Sequence, residues 1–253
     1  VEAVDLGILN YPGNPGVRNC RIANGTADIT QKPAMTKAEL YRCIETGIGL
    51  VKCAKEDRVK LLVTGEMGIG NTTTSSAVAS VLLDCDPLLV TGRGAGLSDS
   101  GLSRKLEAIK KAIKLHHPDP EDPLSVLSML GGFDIAGMVG LYLGGALYQV
   151  PVLIDGVISA VAALLAVITN RNTCVCCADF YVQMRITYAV SEYFISSACR
   201  KHSKCACEYE LACSSDTCGN AHHICFCYTT VKEAVGICLL EYTCLCCSRK
   251  VCV

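Results

Sequence analysis

Apolar runs of strand length that break on a glycine loop and resume as helix recur along the first 168 residues, and few folds satisfy that pattern. The first unit reads "VKLLVT" at 59–64 as strand, then a glycine loop, then "TTTSSAVASVLL" at 72–83 as helix. A second loop, "VTGRGAGLSD" at 90–99, feeds a helix with Leu102, Leu106, Ile109 and Ile113 on one face. A third unit sets "VPVLID" at 150–155 as strand, a turn at Gly156 and "VISAVAALLAVI" as a buried helix. Ahead of them, Thr36 and Glu39 form a capping box, and Leu40, Ile44, Ile48 and Val51 follow at helical spacing, which predicts a helix over 37–54. The expected class is α/β: a mostly parallel sheet covered by helices, with binding groups beyond the carboxyl ends of the strands.

Composition narrows the function. Of 253 residues, 51% are hydrophobic and 19% charged, which suits a chain that closes a real core. A formal charge of -1 gives no broad attraction for nucleic acid or an acidic membrane, and without Trp a base-stacking platform is not expected. The apolar stretch 135–148 is too short to span a bilayer, and 150–168 carries Asp155 near its start, so both are expected in a soluble core. Gly140 and Gly144 suit close helix packing there. The opening residues show no secretory signal, and the start at Val1 reads as N-terminally truncated.

The most specific stretch is "VTGEMGIGNTTTSS" at 63–76. Gly65 and Gly70 have the spacing of a nucleotide triphosphate loop and Thr72 supplies its hydroxyl, but Asn71 stands where that loop needs lysine. Without the fixed cation, the backbone amides and helix N-terminus suit one phosphate or a neutral ring better than ATP. Gly92, Gly94 and Gly96 leave the amides of the second loop open, Arg93 lies inside it, and Lys105 follows to one side of the apolar stripe, placed to snorkel toward a phosphate. Glu66 and Asp155 each end a strand and share one rim if those strands are parallel, as candidates to orient a hydroxyl or take a proton. Each also has a structural account: a tight glycine connection, one cation among Arg104, Lys110, Lys111 and Lys114, a helix-start carboxylate, a turn residue.

"PGVRNCRIANGTADITQKPAMTKAEL", "GEMGIGNTTTSSA", "VTGRGAGLSDSGLSRK", "DPLSVLSMLGGFDIAGMVG" and "PVLIDGVISAVAALLA" resemble, in consistent order over about 15–166, the nicotinate-nucleotide:dimethylbenzimidazole phosphoribosyltransferase family. The resemblance implies a Rossmann-like α/β domain with a smaller helical portion, incomplete here, in a cytoplasmic homodimer without metal or cofactor. It implies transfer of phosphoribose from nicotinate mononucleotide to 5,6-dimethylbenzimidazole, giving α-ribazole 5′-phosphate and nicotinate in cobalamin lower-ligand assembly. By motif, Glu66 matches an active-site glutamate, Lys105 the phosphate-binding lysine and Gly92, Gly94 and Gly96 the phosphate loop. Gly68, Gly70, Asn71, Thr72 and Arg93 are expected to line the substrate site, and Asp155 matches the acidic residue of its "DG" turn. The family's principal glutamate lies in a "GEGSG"-like motif that does not follow Ala166, and Glu208 and Glu210 lack the flanking glycines, so neither takes its role.

Near residue 168 the chain changes character. All 8 prolines lie at or before Pro151, whereas 15 of the 19 cysteines fall between Cys174 and Cys252. The expected organisation is a core over 1–168 and a cysteine-rich tail over 169–253. A shifted reading frame ranks first as its origin. A zinc appendage comes second, through Cys174/Cys177 and Cys244/Cys247 with His202, His222 and His223, and a disulfide framework third. The competing functions are a phosphate-loop enzyme that binds magnesium ATP and a cysteine-rich zinc module.

Overall fold

The structure, a computed structural model, describes residues 1–170 and the short strand Cys176–Cys177. In chain order the elements are β1 (Ala3–Asp5), β2 (Val17–Asn19), α1 (Lys37–Glu56), β3 (Leu62–Val63), α2 (Asn71–Leu82), α3 (Pro87–Val90), α4 (Asp99–His116), α5 (Pro123–Leu130), α6 (Phe133–Tyr148), β4 (Val152–Ile154), α7 (Gly156–Thr169) and β5 (Cys176–Cys177). Strands β3, β4 and β5 form a parallel sheet in that order, with Leu62 opposite Val152 and Val63 opposite Leu153. A separate parallel pair joins β1 to β2. The chain is α/β, as expected, with its strands shorter than the apolar runs that announce them. Only Leu62–Val63 of the 59–64 run and Val152–Ile154 of the 150–155 run are strand.

The helices carry most of the core. In α1 the Thr36 hydroxyl accepts from the Glu39 N–H at 3.2 Å while the Glu39 carboxylate accepts from the Thr36 N–H at 2.7 Å, so the capping box forms and sets the start. The helix runs two residues beyond the expected end. Its buried side, Leu40, Cys43, Ile44, Gly47 and Val51, lies on α6. There two backbones touch: a Cβ on Gly47 would stand 2.2 Å from the Gly137 carbonyl oxygen, and one on Gly140 would stand 2.2 Å from the Ile44 oxygen. Small residues in α6 thus serve helix packing, and among the described residues no helix is long and apolar enough to cross a membrane. Helix α7, buried at Ile158, Ser159 and Val161 through Ala166, packs between α6 and α2.

The second glycine loop is entered from the short helix α3, whose Pro87 start is capped by Asp86. One expectation is corrected. Along α4 the buried line is Gly101, Lys105, Ile109 and Ala112, while Leu102 and Leu106 are only half-buried. Apolar spacing alone set Lys105 beside the stripe. In the fold it takes a core position because its amine finds two acceptors.

Candidate functional site

Loops at the carboxyl ends of β3 and β4 open on one side of the sheet, because these strands are parallel and in register. Thr64 fastens the end of β3: its Oγ1 donates to the Leu153 carbonyl at 3.1 Å and lies 3.0 Å from the Tyr142 hydroxyl of α6. Gly65 to Gly70 then cross to α2. Gly70 turns with φ +83°, a left-handed conformation that suits glycine, and offers no side chain to cap the helix.

Consecutive residues in the first turn of α2 reach in different directions. Thr72 faces the second loop, where the Lys105 Nζ donates to Thr72 Oγ1 at 2.9 Å and to the Gly92 carbonyl at 3.0 Å. Burial is the cause that holds the Lys105 ammonium below the ordinary lysine value, and only 6% of the residue is exposed. Gly94, at φ +58°, lets the second loop close on the first; a Cβ there would stand 3.0 Å from Thr72 Oγ1. Gly96 also has positive φ, +98°, with open space beside it. Arg93 donates to the Leu97 carbonyl at 2.8 Å and pairs with Asp99, so its guanidinium ties its own loop together.

Asn71 faces the other way. Its Nδ2 donates to the Glu66 carboxylate and, at 2.9 Å, to Asp134 Oδ2. Both amide hydrogens are thereby spent on carboxylates, and the Asn71 residue is itself buried. Gly68 sits against this pair, since a Cβ there would meet Asp134 Oδ2 at 2.5 Å and Asn71 Nδ2 at 3.0 Å. Asp155 precedes α7 at the end of β4 and is exposed. Its backbone N–H donates to Ser159 Oγ at 2.8 Å, and that hydroxyl donates back to the Asp155 carbonyl at 2.7 Å.

Chemically, the arrangement presents a desolvated cation between two glycine loops, and beside it an exposed carboxylate on an amide tether. Glu66, Gly68, Asn71, Thr72, Gly92, Gly94 and Lys105 are drawn together by these contacts; Arg93 stays within its loop, and Asp155 stands at the neighbouring strand end. Asp134 has no place among the residues the sequence singles out. Its signal was a lone acid in the apolar run "SMLGGFDIAGMVG", just after two glycines. Among the described residues no group of three or more potential ligands is arranged for a metal. The C-x-x-C pairs with His202, His222 and His223, as well as Glu208 and Glu210, lie outside the residues whose side chains are described.

A family model described as phosphoribosyltransferase matches residues 1–180. A nicotinate-nucleotide–dimethylbenzimidazole phosphoribosyltransferase of Ruminiclostridium cellulolyticum is 53% identical over 167 residues, which are 66% of this chain and 47% of that protein. Its namesake from Acetivibrio thermocellus is 50% identical, over 66% of this chain and 48% of that protein. The crystal structure of CobT from Thermus thermophilus superposes with a TM-score of 0.65 at 34% identity, covering 70% of this chain and 54% of that one. The chain thus spans about half the length of the curated relatives it matches.

Proposed function

The chain belongs to the nicotinate-nucleotide–dimethylbenzimidazole phosphoribosyltransferase family, and from that premise we propose that it supplies the nucleotide site for phosphoribosyl transfer from nicotinate mononucleotide to 5,6-dimethylbenzimidazole. One observation carries the reading: neighbouring residues of α2 hold a buried cation on one side, through Thr72, and a carboxylate on the other, through Asn71. A mononucleotide needs that separation, with its single phosphate at one end and its reacting carbon at the other.

In this reading the phosphate takes the Lys105 ammonium and the open amides of the loops at Gly70, Gly92, Gly94 and Gly96. A ring nitrogen of the benzimidazole attacks the anomeric carbon from the face opposite nicotinate. The bond to nicotinate breaks, and its electron pair leaves on the pyridine nitrogen, neutralising the pyridinium. A glutamate takes the proton from the second ring nitrogen, and Glu66 stands at the reacting end of the site. The products are nicotinate and α-ribazole 5′-phosphate, with inversion at the anomeric carbon. Positioning and proton removal carry the rate. An ATP site is disfavoured, because Asn71 faces two carboxylates where a triphosphate loop requires a lysine.

Calorimetry with nicotinate mononucleotide tests the reading. Saturable binding is expected, weakened about 10-fold or more by Lys105→Met, the loss of one charge-assisted phosphate contact. Absence of saturable binding to the unsubstituted chain overturns it.

Family membership also supports a cytoplasmic homodimer, which light scattering would report as twice the chain mass. The compositional break supports a core over 1–168 whose continuation is read out of frame. Resequencing across the codon of Ile168 is expected to reveal a "GEGSG"-like continuation in another frame.

A further inference from the structure

We propose that Asp134 is a positioning residue for the Glu66 carboxylate, acting through the Asn71 carboxamide. The catalytic consequence rests on the phosphoribosyl-transfer reading; the relay itself rests on geometry alone. Glu66 is exposed in a loop that contains Gly65, Gly68 and Gly70, and a chain so rich in glycine does not by itself hold a side chain in one direction. Asn71 supplies the direction. A carboxamide has two N–H groups on one nitrogen, and here one goes to Glu66 and the other to Asp134 Oδ2 at 2.9 Å. Only its N–H edge can face two carboxylates, so Asp134 fixes which way the amide is turned.

Asp134 is itself fixed from three sides. It lies in the first turn of α6, where the helix dipole favours an anion. Gly68 and Gly132 wrap it: a Cβ at either would come within 2.5 Å of a carboxylate oxygen. Two turns further along the same helix, Tyr142 lies 3.0 Å from the Thr64 hydroxyl at the opposite end of the glycine loop. Helix α6 therefore grips the loop before Gly65 and after Gly70, and Glu66 hangs between the two grips. Removing the Asp134 carboxylate leaves an amide hydrogen without its acceptor at a residue only 9% exposed, so the amide reorients and Glu66 loses its bearing.

The test uses steady-state kinetics with nicotinate mononucleotide and 5,6-dimethylbenzimidazole. Asp134→Ala is expected to lower kcat about 10- to 100-fold while KM for nicotinate mononucleotide moves less than about 3-fold. Asp134→Asn keeps a carbonyl acceptor and is expected to restore most of kcat. In an Asn71→Ala background, Asp134→Ala is expected to add less than about 2-fold, since the relay is already cut. An unchanged kcat in Asp134→Ala, no rescue by Asp134→Asn, or independent effects of the two alanines would each overturn the proposal. An NMR readout needs no turnover: the Asn71 side-chain amide hydrogens should exchange slowly in the unsubstituted chain and fast in Asp134→Ala. Equal protection in both overturns the relay. An unsubstituted chain that neither binds nor turns over nicotinate mononucleotide would count against the transferase reading, and the NMR result would still decide the relay.

Discussion

Lys105 shows at the scale of one residue how a cation is kept inside a core. Burial lowers its pKa, so the folded state releases the proton before the unfolded chain does. The sign follows: folding stability rises as pH climbs from the folded value toward the ordinary lysine value of about 10.4, because there only the unfolded chain still carries the proton. In the proposed nucleotide site phosphate affinity has the opposite trend, since it needs the ammonium. Nicotinate mononucleotide binding, followed by calorimetry against pH, should weaken on the alkaline side at a midpoint below about 10.4, and Lys105→Met should flatten that limb. Cys43, in contrast, is chemically silent: burial pushes its thiol up to about 12. Peptide mapping after alkylation near pH 8 should find the exposed Cys53 modified and Cys43 intact.

At the scale of elements, packing of α1 on α6 leaves no space for side chains between two backbones. Gly47→Ala must push a carbonyl aside and should cost about 1–3 kcal/mol or more, read as a lower midpoint in urea. Helix starts were the most legible part of the sequence, because a capping box such as Thr36 with Glu39 is local chemistry that needs no partner from elsewhere. Strand lengths were less legible. An apolar run such as 59–64 announces a strand, but how much of it joins the ladder depends on the partner across the sheet, and only Leu62 and Val63 pair with β4. The entry to the second loop is local chemistry as well: Asp86 and Pro87 are a helix start in miniature, one short turn before the glycines.

Over the whole molecule, β1 and β2 form a small parallel pair fastened by Asp5. The residue is 3% exposed; burial alone would raise its pKa, but the Ile8 N–H, the Arg21 guanidinium and the Gly7 N–H together hold it below the ordinary value. Its stabilising contribution is therefore present above about pH 4, the unfolded value, and is lost as pH falls through the lower folded value. Acid titration of the unfolding free energy should show that loss, and Asp5→Asn should be less stable at neutral pH with a shallower acid limb. The site was legible at this scale only in halves. Loop glycines, Glu66 and Lys105 stand in recognisable motifs, whereas Asp134 is 63 residues from Asn71 and enters only when α6 folds over the loop. No local pattern records such a contact.

The pairing of Asn71 with two acids also bears on how this site could drift under mutation. Asparagine and lysine codons differ at the third base, so the lysine of a triphosphate loop is a single nucleotide change away. That step leads nowhere here. In Asn71→Lys the new ammonium would lie between Glu66 and Asp134 and be neutralised by them before any triphosphate met it. Two further substitutions would be needed to free the charge, and the first of them removes the Glu66 carboxylate. The carboxylates around the amide thus also close the shortest mutational path from the proposed mononucleotide site to an ATP site.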